Sequence, residues 1–320
     1  MTDRRLVVTD HCFDDVSREE ATVESFGLRL DVFRCETEDQ TVDATRGATA
    51  VLVNTAPITA AVIAGLQPGA AVIRYGTGYD NVDIGAAHRR GVRVSVVPGY
   101  GTSAVAEHAI ALLLATVRHV PQFDRLVRTE GWGAPSHFGA VSGLEAMTVG
   151  LVGMGRIASA VIDRLRGFGC RFVGFDPLVP DQEVLRLGAE PLELQPLLGQ
   201  ADAVLLHLPL NENTRNILGA NALSSMKASA IVVNTARGGL VDEKALADAL
   251  VAGRLAGAAL DVFENEPLPA ASPLRNAPNL ILTPHVAFHS EQSTVRLQES
   301  VADDLARYLR GERMAGELAP

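Results

Sequence analysis

Short apolar runs recur along the chain, each bounded by polar or glycine-containing stretches. Leu6 to Thr9, Leu30 to Phe33, Ala50 to Asn54, Val72 to Tyr75 and Val92 to Val96 are rich in Val, Ile and Leu and read as strands. Between them, helices fit Ser17 to Phe26, Thr59 to Gly65 and Val82 to Arg89. Ser17 followed by Glu20 has the spacing of a capping box. Near-continuous rather than alternating apolar strands, interleaved with helices, predict a parallel open sheet covered on both faces. Pro98-Gly99-Tyr100-Gly101 then breaks the pattern. The next helix, Ser103 to His119, is apolar on most faces and so reads as buried, able to link two domains and to pack against a second subunit.

The alternation resumes at Val149 and contains one stretch of higher information, Thr148 to Asp176. A strand, Val149 to Val152, runs into Gly153-Met154-Gly155-Arg156-Ile157-Ala158. A helix with apolar positions at Ile157, Val161, Ile162 and Leu165 follows, then a strand, Phe172 to Phe175, ending on Asp176. This is the dinucleotide-binding frame. Gly153 makes the turn, Gly155 lets the backbone approach a pyrophosphate, and Ala158 is small enough for close helix–strand packing. The helix N-terminus offers free N–H groups to that anion. Asp176 lies 23 residues beyond Gly153, suits two ribose hydroxyls and repels a 2′-phosphate, so NAD is expected rather than NADP. Beyond it come helices near Pro180 to Leu187, Leu192 to Leu198 and Asp242 to Ala252, and strands at Ala203 to Leu208, Ile231 to Asn234, Ala256 to Leu260 and Leu280 to Leu282. An amphipathic helix, Glu291 to Arg310, closes the chain.

At 320 residues, two domains are expected, and 47% hydrophobic content supports substantial cores. The formal net charge of −10 gives no basic footprint for nucleic acid or an anionic membrane. No apolar run reaches the length of a spanning helix, and the N-terminal stretch lacks the apolar core of a signal peptide. The three scattered cysteines (Cys12, Cys35, Cys170) point away from a disulfide framework or a zinc site and fit a reducing cytoplasm, with all three expected to be buried.

Ligands of open α/β sheets sit at the carboxyl ends of the strands. Three such ends carry chemistry: Asn234-Thr235-Ala236-Arg237-Gly238-Gly239, Asp261-Val262-Phe263-Glu264-Asn265-Glu266-Pro267, and Thr283-Pro284-His285. Hydride transfer to a 2-oxo acid needs a cation for the carboxylate, an acid for the forming alkoxide and a carboxylate to orient that acid. Arg237 and His285 fill two of these places; Glu264 and Glu266 both suit the third. His285 and His289 are four apart, but Pro284 disfavours a helix through them, and no metal is expected.

These segments, together with Leu206-His207-Leu208-Pro209-Leu210, resemble the D-isomer-specific 2-hydroxyacid dehydrogenase family over roughly residues 70 to 310. The resemblance implies two doubly wound, Rossmann-like or flavodoxin-like parallel-sheet domains: a substrate domain of residues 1–99 and 290–320, and an inserted NAD-binding domain of residues 100–289. It implies a homodimer through the Ser103–His119 helix region. Arg237 would bind substrate, Glu266 rather than Glu264 would orient the imidazole, and His285 would be the acid/base. Cofactor contacts are implied at Gly153, Met154, Gly155, Arg156, Ile157, Asp176, His207, Pro209, Thr214, Thr235, Ala236, Arg237, Asp261 and His285, with Asp261 on the nicotinamide amide. Tyr75, Gly76, Thr77 and Gly78 would offer backbone N–H groups to the substrate carboxylate, and Phe288 would help form the selectivity wall.

Arg74 to Asn81 and His285 to Glu291 look most like the C-terminal-binding-protein branch, which often carries Trp and Tyr where this chain has Phe288 and His289. Asn54-Thr55-Ala56-Pro57-Ile58-Thr59 lacks the basic residues of phosphoglycerate dehydrogenases, and no regulatory domain is expected after the last helix. The reading is an NAD-dependent oxidoreductase on a small D-2-hydroxy acid. Its alternatives are an NAD(H)-sensing binding protein and a dehydrogenase acting on a phosphonate- or phosphite-type anion.

Overall fold

Parallel strands joined by helical crossovers build both halves of the chain. The computed structural model describes residues 4–139 and 141–319. It divides into two compact units, with the breaks between Gly101 and Thr102 and between His289 and Ser290.

Unit 1 runs β1 (Leu6–Val8), α1 (Ser17–Ser25), β2 (Leu30–Val32), α2 (Glu38–Thr45), β3 (Ala50–Val53), α3 (Ala60–Gly65), β4 (Ala71–Arg74), α4 (Ile84–Arg90) and β5 (Arg93–Ser95). Its sheet is parallel throughout, in the order β2-β1-β3-β4-β5. β1, β3 and most of β4 are buried, which is why they read as continuous apolar runs. Two details differ from the sequence reading. Ser17 is the first helical residue rather than the cap, and its N–H donates to Asp15 Oδ1 at 3.0 Å, so the expected capping box is absent. Thr37 and Gln40 form one instead, at the start of α2, a polar helix without a strong apolar period to announce it.

Unit 2 opens with α5 (Thr102–Val117) and α6 (Val120–Glu130). It continues β6 (Thr148–Val152), α7 (Arg156–Leu165), β7 (Arg171–Phe175), α8 (Asp181–Leu187), β8 (Glu190–Pro191), α9 (Leu194–Gln200), β9 (Ala203–Leu206), α10 (Ala220–Ser225), β10 (Ile231–Asn234), α11 (Glu243–Val251), β11 (Gly257–Leu260) and β12 (Leu280–Leu282). The seven strands are parallel, in the order β12-β11-β10-β9-β6-β7-β8. Strand order reverses between β6 and β9, the crevice where such sheets take ligands. Of α5, Ala106, Ala109, Ile110, Leu113 and Val117 pack into the core with α7 and the sheet. The apolar surface expected to meet a second subunit through this helix is thus largely used within unit 2. Exposed apolar residues lie just beyond it, at Val120, Val127 and Trp132.

The chain returns to unit 1 as α12 (Glu291–Leu309), which packs on α1 and β4 and is capped by Ser290 with Ser293. Residues beyond it lie along the edge strand β5, where Leu318 N–H donates to Val94 O. Buried Asp304 holds that tail by accepting from Ser95 Oγ and the N–H of Ala315, both at 2.5 Å. Cys35 and Cys170 are buried as expected, whereas Cys12 is exposed. Among the described residues no single helix is long and apolar enough to cross a membrane; α5 and α6 reach the length only together, bent by 54°.

Candidate active site

Gly153 follows β6 with φ +104°, a conformation open to glycine and costly for other residues. A Cβ there would stand 2.6 Å from the backbone of both His207 and Leu208, so the turn passes directly against the end of β9. Gly155 differs, since a Cβ would meet only open space, and it precedes the ten-residue α7 without a side-chain cap. An uncapped helix start beside open space has free N–H groups and a partial positive charge, the requirements of a pyrophosphate cradle. Arg156 and Ile157 begin that helix, and Ala158 is fully buried, as its close packing demands. Asp176, past the end of β7, reaches back across the turn: Oδ2 accepts from Met154 N–H at 2.8 Å and Oδ1 from Leu178 N–H at 2.9 Å.

Two buried polar atoms stand without partners at the neighbouring strand ends, His207 Nε2 and Thr235 Oγ1. Leu206 and Asn234 are paired in the parallel register, so the residues that follow them emerge side by side. Burial pushes the His207 imidazole down to about 4, which keeps it neutral and available as a donor or acceptor. Orphaned polar atoms beside an open glycine turn fit a polar ligand such as a dinucleotide. Thr214 has an internal role, its hydroxyl donating to Pro209 O at 2.7 Å and accepting from Asn211 N–H at 2.8 Å, which shapes the loop after β9.

Arg237 leaves β10 on a loop held by buried Asn234, whose Oδ1 accepts from Ala236 N–H and whose Nδ2 donates to Arg237 O. The Arg237 guanidinium donates to Ala236 O at 2.7 Å. At Gly238 a Cβ would fall 1.9 Å from the carbonyl carbon of Phe263. The Arg237 loop therefore lies directly on the loop that carries Glu266. Glu266 Oε1 accepts from Phe263 N–H at 2.8 Å, and Oε2 pairs with His285 Nδ1 at 2.6 Å. Partial burial acts to raise this carboxyl, but the His285 hydrogen bond and charge, the Phe263 N–H and the Arg237 charge outweigh it, and the net shift is downward. Glu264, the other candidate, turns away: it lies 3.5 Å from Arg215, and its N–H donates to Glu243 Oε1.

His285 has φ +54°, in the left-handed region, which costs a non-glycine residue roughly 1–2 kcal/mol. Its N–H donates to Asp261 O at 2.8 Å, and Phe288 packs edge-on against its ring. Asp261 was expected to face a nicotinamide amide. Its carboxylate is instead wholly buried and accepts from Thr283 Oγ1, Val286 N–H and Ala287 N–H, so it shapes the His285 loop.

In unit 1, the loop after β4 narrows the expected carboxylate site. Tyr75 N–H donates to Val53 O and Gly76 N–H to Arg74 O, so neither is free for a ligand. Of the four expected donors, Thr77 and Gly78 are the two whose N–H groups make no bond within the described residues. The Tyr75 side chain is buried against Phe13, too deep for substrate contact. Gly76, at φ +134°, leaves room for the Arg74 guanidinium that a Cβ would displace.

A model of the D-isomer specific 2-hydroxyacid dehydrogenase NAD-binding domain matches residues 110–287. The chain belongs to that family. It is an NAD-dependent enzyme of the 2-hydroxyacid dehydrogenase class, and the matched domain lies inside unit 2. A glyoxylate reductase of Korarchaeum cryptofilum is 42% identical over 260 residues, which is 81% of this chain and 78% of that enzyme. A D-3-phosphoglycerate dehydrogenase of Mycobacterium tuberculosis is 40% identical over 283 residues, 88% of this chain. The chain spans only 52%, about half, of that longer relative. Among solved structures, a glyoxylate reductase from Paecilomyes thermophila matches with a TM-score of 0.88 at 27% identity, covering 99% of both chains.

Among the described residues no group of three His, Cys, Asp or Glu side chains is placed to hold a metal ion, and His289 packs against Phe288. The residues missed in the sequence are the supports: Asn234, Thr283, and Asp261 as a loop holder. Only Asn234 carried a signal, as a polar residue closing a buried strand.

Proposed function

We propose that this dehydrogenase interconverts a small, unphosphorylated D-2-hydroxy acid and its 2-oxo acid. The observation that carries the reading is the 2.6 Å bond from Glu266 to His285 Nδ1 on a loop packed against that of Arg237. With Nδ1 engaged, Nε2 is the nitrogen left to exchange a proton with the substrate oxygen. NADH held at the Gly153–Gly155 turn and the start of α7 would supply a hydride for the carbonyl carbon, and NAD would accept one in the reverse direction. His285 gives its Nε2 proton to the forming alkoxide, and takes it back in oxidation. Glu266, held below the usual carboxylate range, stays charged and orients the imidazole through Nδ1. Arg237 holds the substrate carboxylate through its planar fork.

Two observations in unit 1 support an unphosphorylated substrate. The Asn54–Thr59 loop has no cationic side chain, and the Asp10 carboxylate accepts from the N–H groups of Asn54 and Thr55, placing negative charge where a phosphate would be repelled. We infer also that two copies associate, through exposed apolar residues around α6 rather than through α5, whose apolar face is already covered.

His285→Ala should lower turnover by about 10²–10⁴-fold. NADH binding, read by fluorescence titration, should persist. Unchanged turnover would remove His285 from the acid/base role. The substrate reading is checked with a panel of glyoxylate, larger 2-oxo acids, a phosphorylated 2-oxo acid and, in the oxidative direction, phosphite with NAD. Preference for a phosphorylated compound or for phosphite would overturn it. Absence of reaction with the whole panel would point to an NAD(H)-sensing binding role.

A further inference from the structure

Behind the His285 loop, α5 places a second histidine that the chemistry so far does not use. His108 Nε2 lies 3.0 Å from Thr283 Oγ1 and 3.5 Å from Asp261 Oδ1. Thr283 Oγ1 is 2.5 Å from Asp261 Oδ1. The same carboxylate accepts from Val286 N–H at 3.0 Å and Ala287 N–H at 2.8 Å, the two residues after His285. The Asp261 carbonyl accepts His285 N–H itself.

The direction of these bonds follows from donor counting. A threonine hydroxyl has one proton, and a carboxylate that already receives two backbone N–H groups accepts rather than donates. The Thr283 proton therefore goes to Asp261, and the Thr283 oxygen must receive its second bond from outside. His108 Nε2 is the group in place to give it, so Nε2 carries the hydrogen. Without that donor the Thr283 hydroxyl is free to rotate, and Asp261 Oδ1 is left with Val286 N–H as its one fixed partner. His285 sits in a left-handed conformation that its own φ preference does not favour, so it depends on the bonds around it.

We propose that His108 is a positioning residue for His285, acting through Thr283 and Asp261. Glu266 fixes the imidazole by its ring nitrogen; His108, Thr283 and Asp261 fix the backbone that carries it. The proposal rests on the assignment of His285 as acid/base only for its effect on turnover. Its effect on the His285 geometry is independent of that assignment.

The test compares His108→Leu, which removes the donor, with His108→Gln, whose amide nitrogen replaces Nε2, and with Thr283→Val, all in the full chain. Turnover at saturating NADH should fall about tenfold to a hundredfold in His108→Leu and Thr283→Val, as expected for a small displacement of a reacting group. The NADH dissociation constant should stay unchanged, and His108→Gln should recover most of the rate. Proton–nitrogen NMR of the imidazole rings gives a second readout without substrate. In the parent protein His108 should appear as the Nε2–H tautomer, and the His285 Nδ1 signal should show its bond to Glu266. That His285 signature should be lost in His108→Leu and kept in His108→Gln. An unchanged rate and spectrum in His108→Leu, or an equal fall in His108→Leu and His108→Gln, would overturn the proposal. Thr283→Val serves the same comparison if His108→Leu does not fold. If His285→Ala keeps its turnover, the acid/base reading fails alone, and the NMR comparison still decides the role of His108.

Discussion

Glu266 shows how one side chain joins two loops that are distant in sequence. One oxygen closes its own loop on Phe263 N–H, and the other holds His285, 19 residues away. Because its folded-state pKa lies below the ordinary 4.5, its stabilising contribution is complete above that value and is lost as pH falls through the lower, folded value. Glu266→Gln cannot take part in that loss. Its stability should therefore decline less steeply than the parent's between about pH 5 and about pH 3, as read from denaturant midpoints. An equal decline in both proteins would show that the His285 contact does not hold the carboxyl down. At this scale the sequence identified the residue types and their strand ends. It left Glu264 and Glu266 equivalent, because both lie on the same loop, and the resemblance alone preferred Glu266.

Among the elements, two glycines of similar appearance answer to different constraints. Gly238 is packed against the Phe263 carbonyl carbon, while Gly155 faces open space at the start of α7. Gly238→Ala must push the Arg237 and Glu266 loops apart and should destabilise the protein by roughly 1–3 kcal/mol or more, with loss of activity. Gly155→Ala should leave the urea midpoint close to the parent's and instead weaken NADH binding, where a methyl group meets the pyrophosphate. Equal midpoints for Gly238→Ala and the parent would contradict the packing. The strands other than the two-residue β8, and most helices, were legible as apolar runs, to within a residue or two at their ends. α2 was not, since its sequence EDQTVDAT is mostly polar. α6 was not read either, although Val120, Phe123, Leu126 and Val127 recur along it at helical spacing. At α1 the letters of a capping box were present, but Ser17 is already helical, Val16 stands at the cap without a side-chain acceptor, and Asp15 takes the Ser17 N–H. Short polar residues near a helix start compete for the same N–H groups, and spacing alone does not rank them.

For the whole molecule, parallel sheets covered on both faces explain why apolar content is high and strand patterning continuous. The same coverage consumes α5, so we propose that a second copy would meet the exposed Val120, Val127 and Trp132, the last 85% exposed. Sedimentation should give about twice the 33.9 kDa of one chain. Val127→Asp combined with Trp132→Ser should shift the mass toward that of one chain. A parent protein that sediments as one chain at micromolar concentration would remove the dimer from the account.

The sequence by itself determined the two parallel α/β sheets, the glycine turn with its acidic partner Asp176, and the strand ends that carry Arg237 and His285. Each of these is written in contiguous residues, where period, turn chemistry and helix start fall within a few positions of one another. Tertiary structure alone decided that Glu264 turns to Arg215, that the Tyr75 side chain is buried, and that Asp261 holds a loop. It alone brought His108 to Thr283, 175 positions away. Such pairings are set by the register of parallel strands and the packing of a helix behind them. Hydrogen bonds of that range leave no period in the chain, and the folded backbone is what selects them.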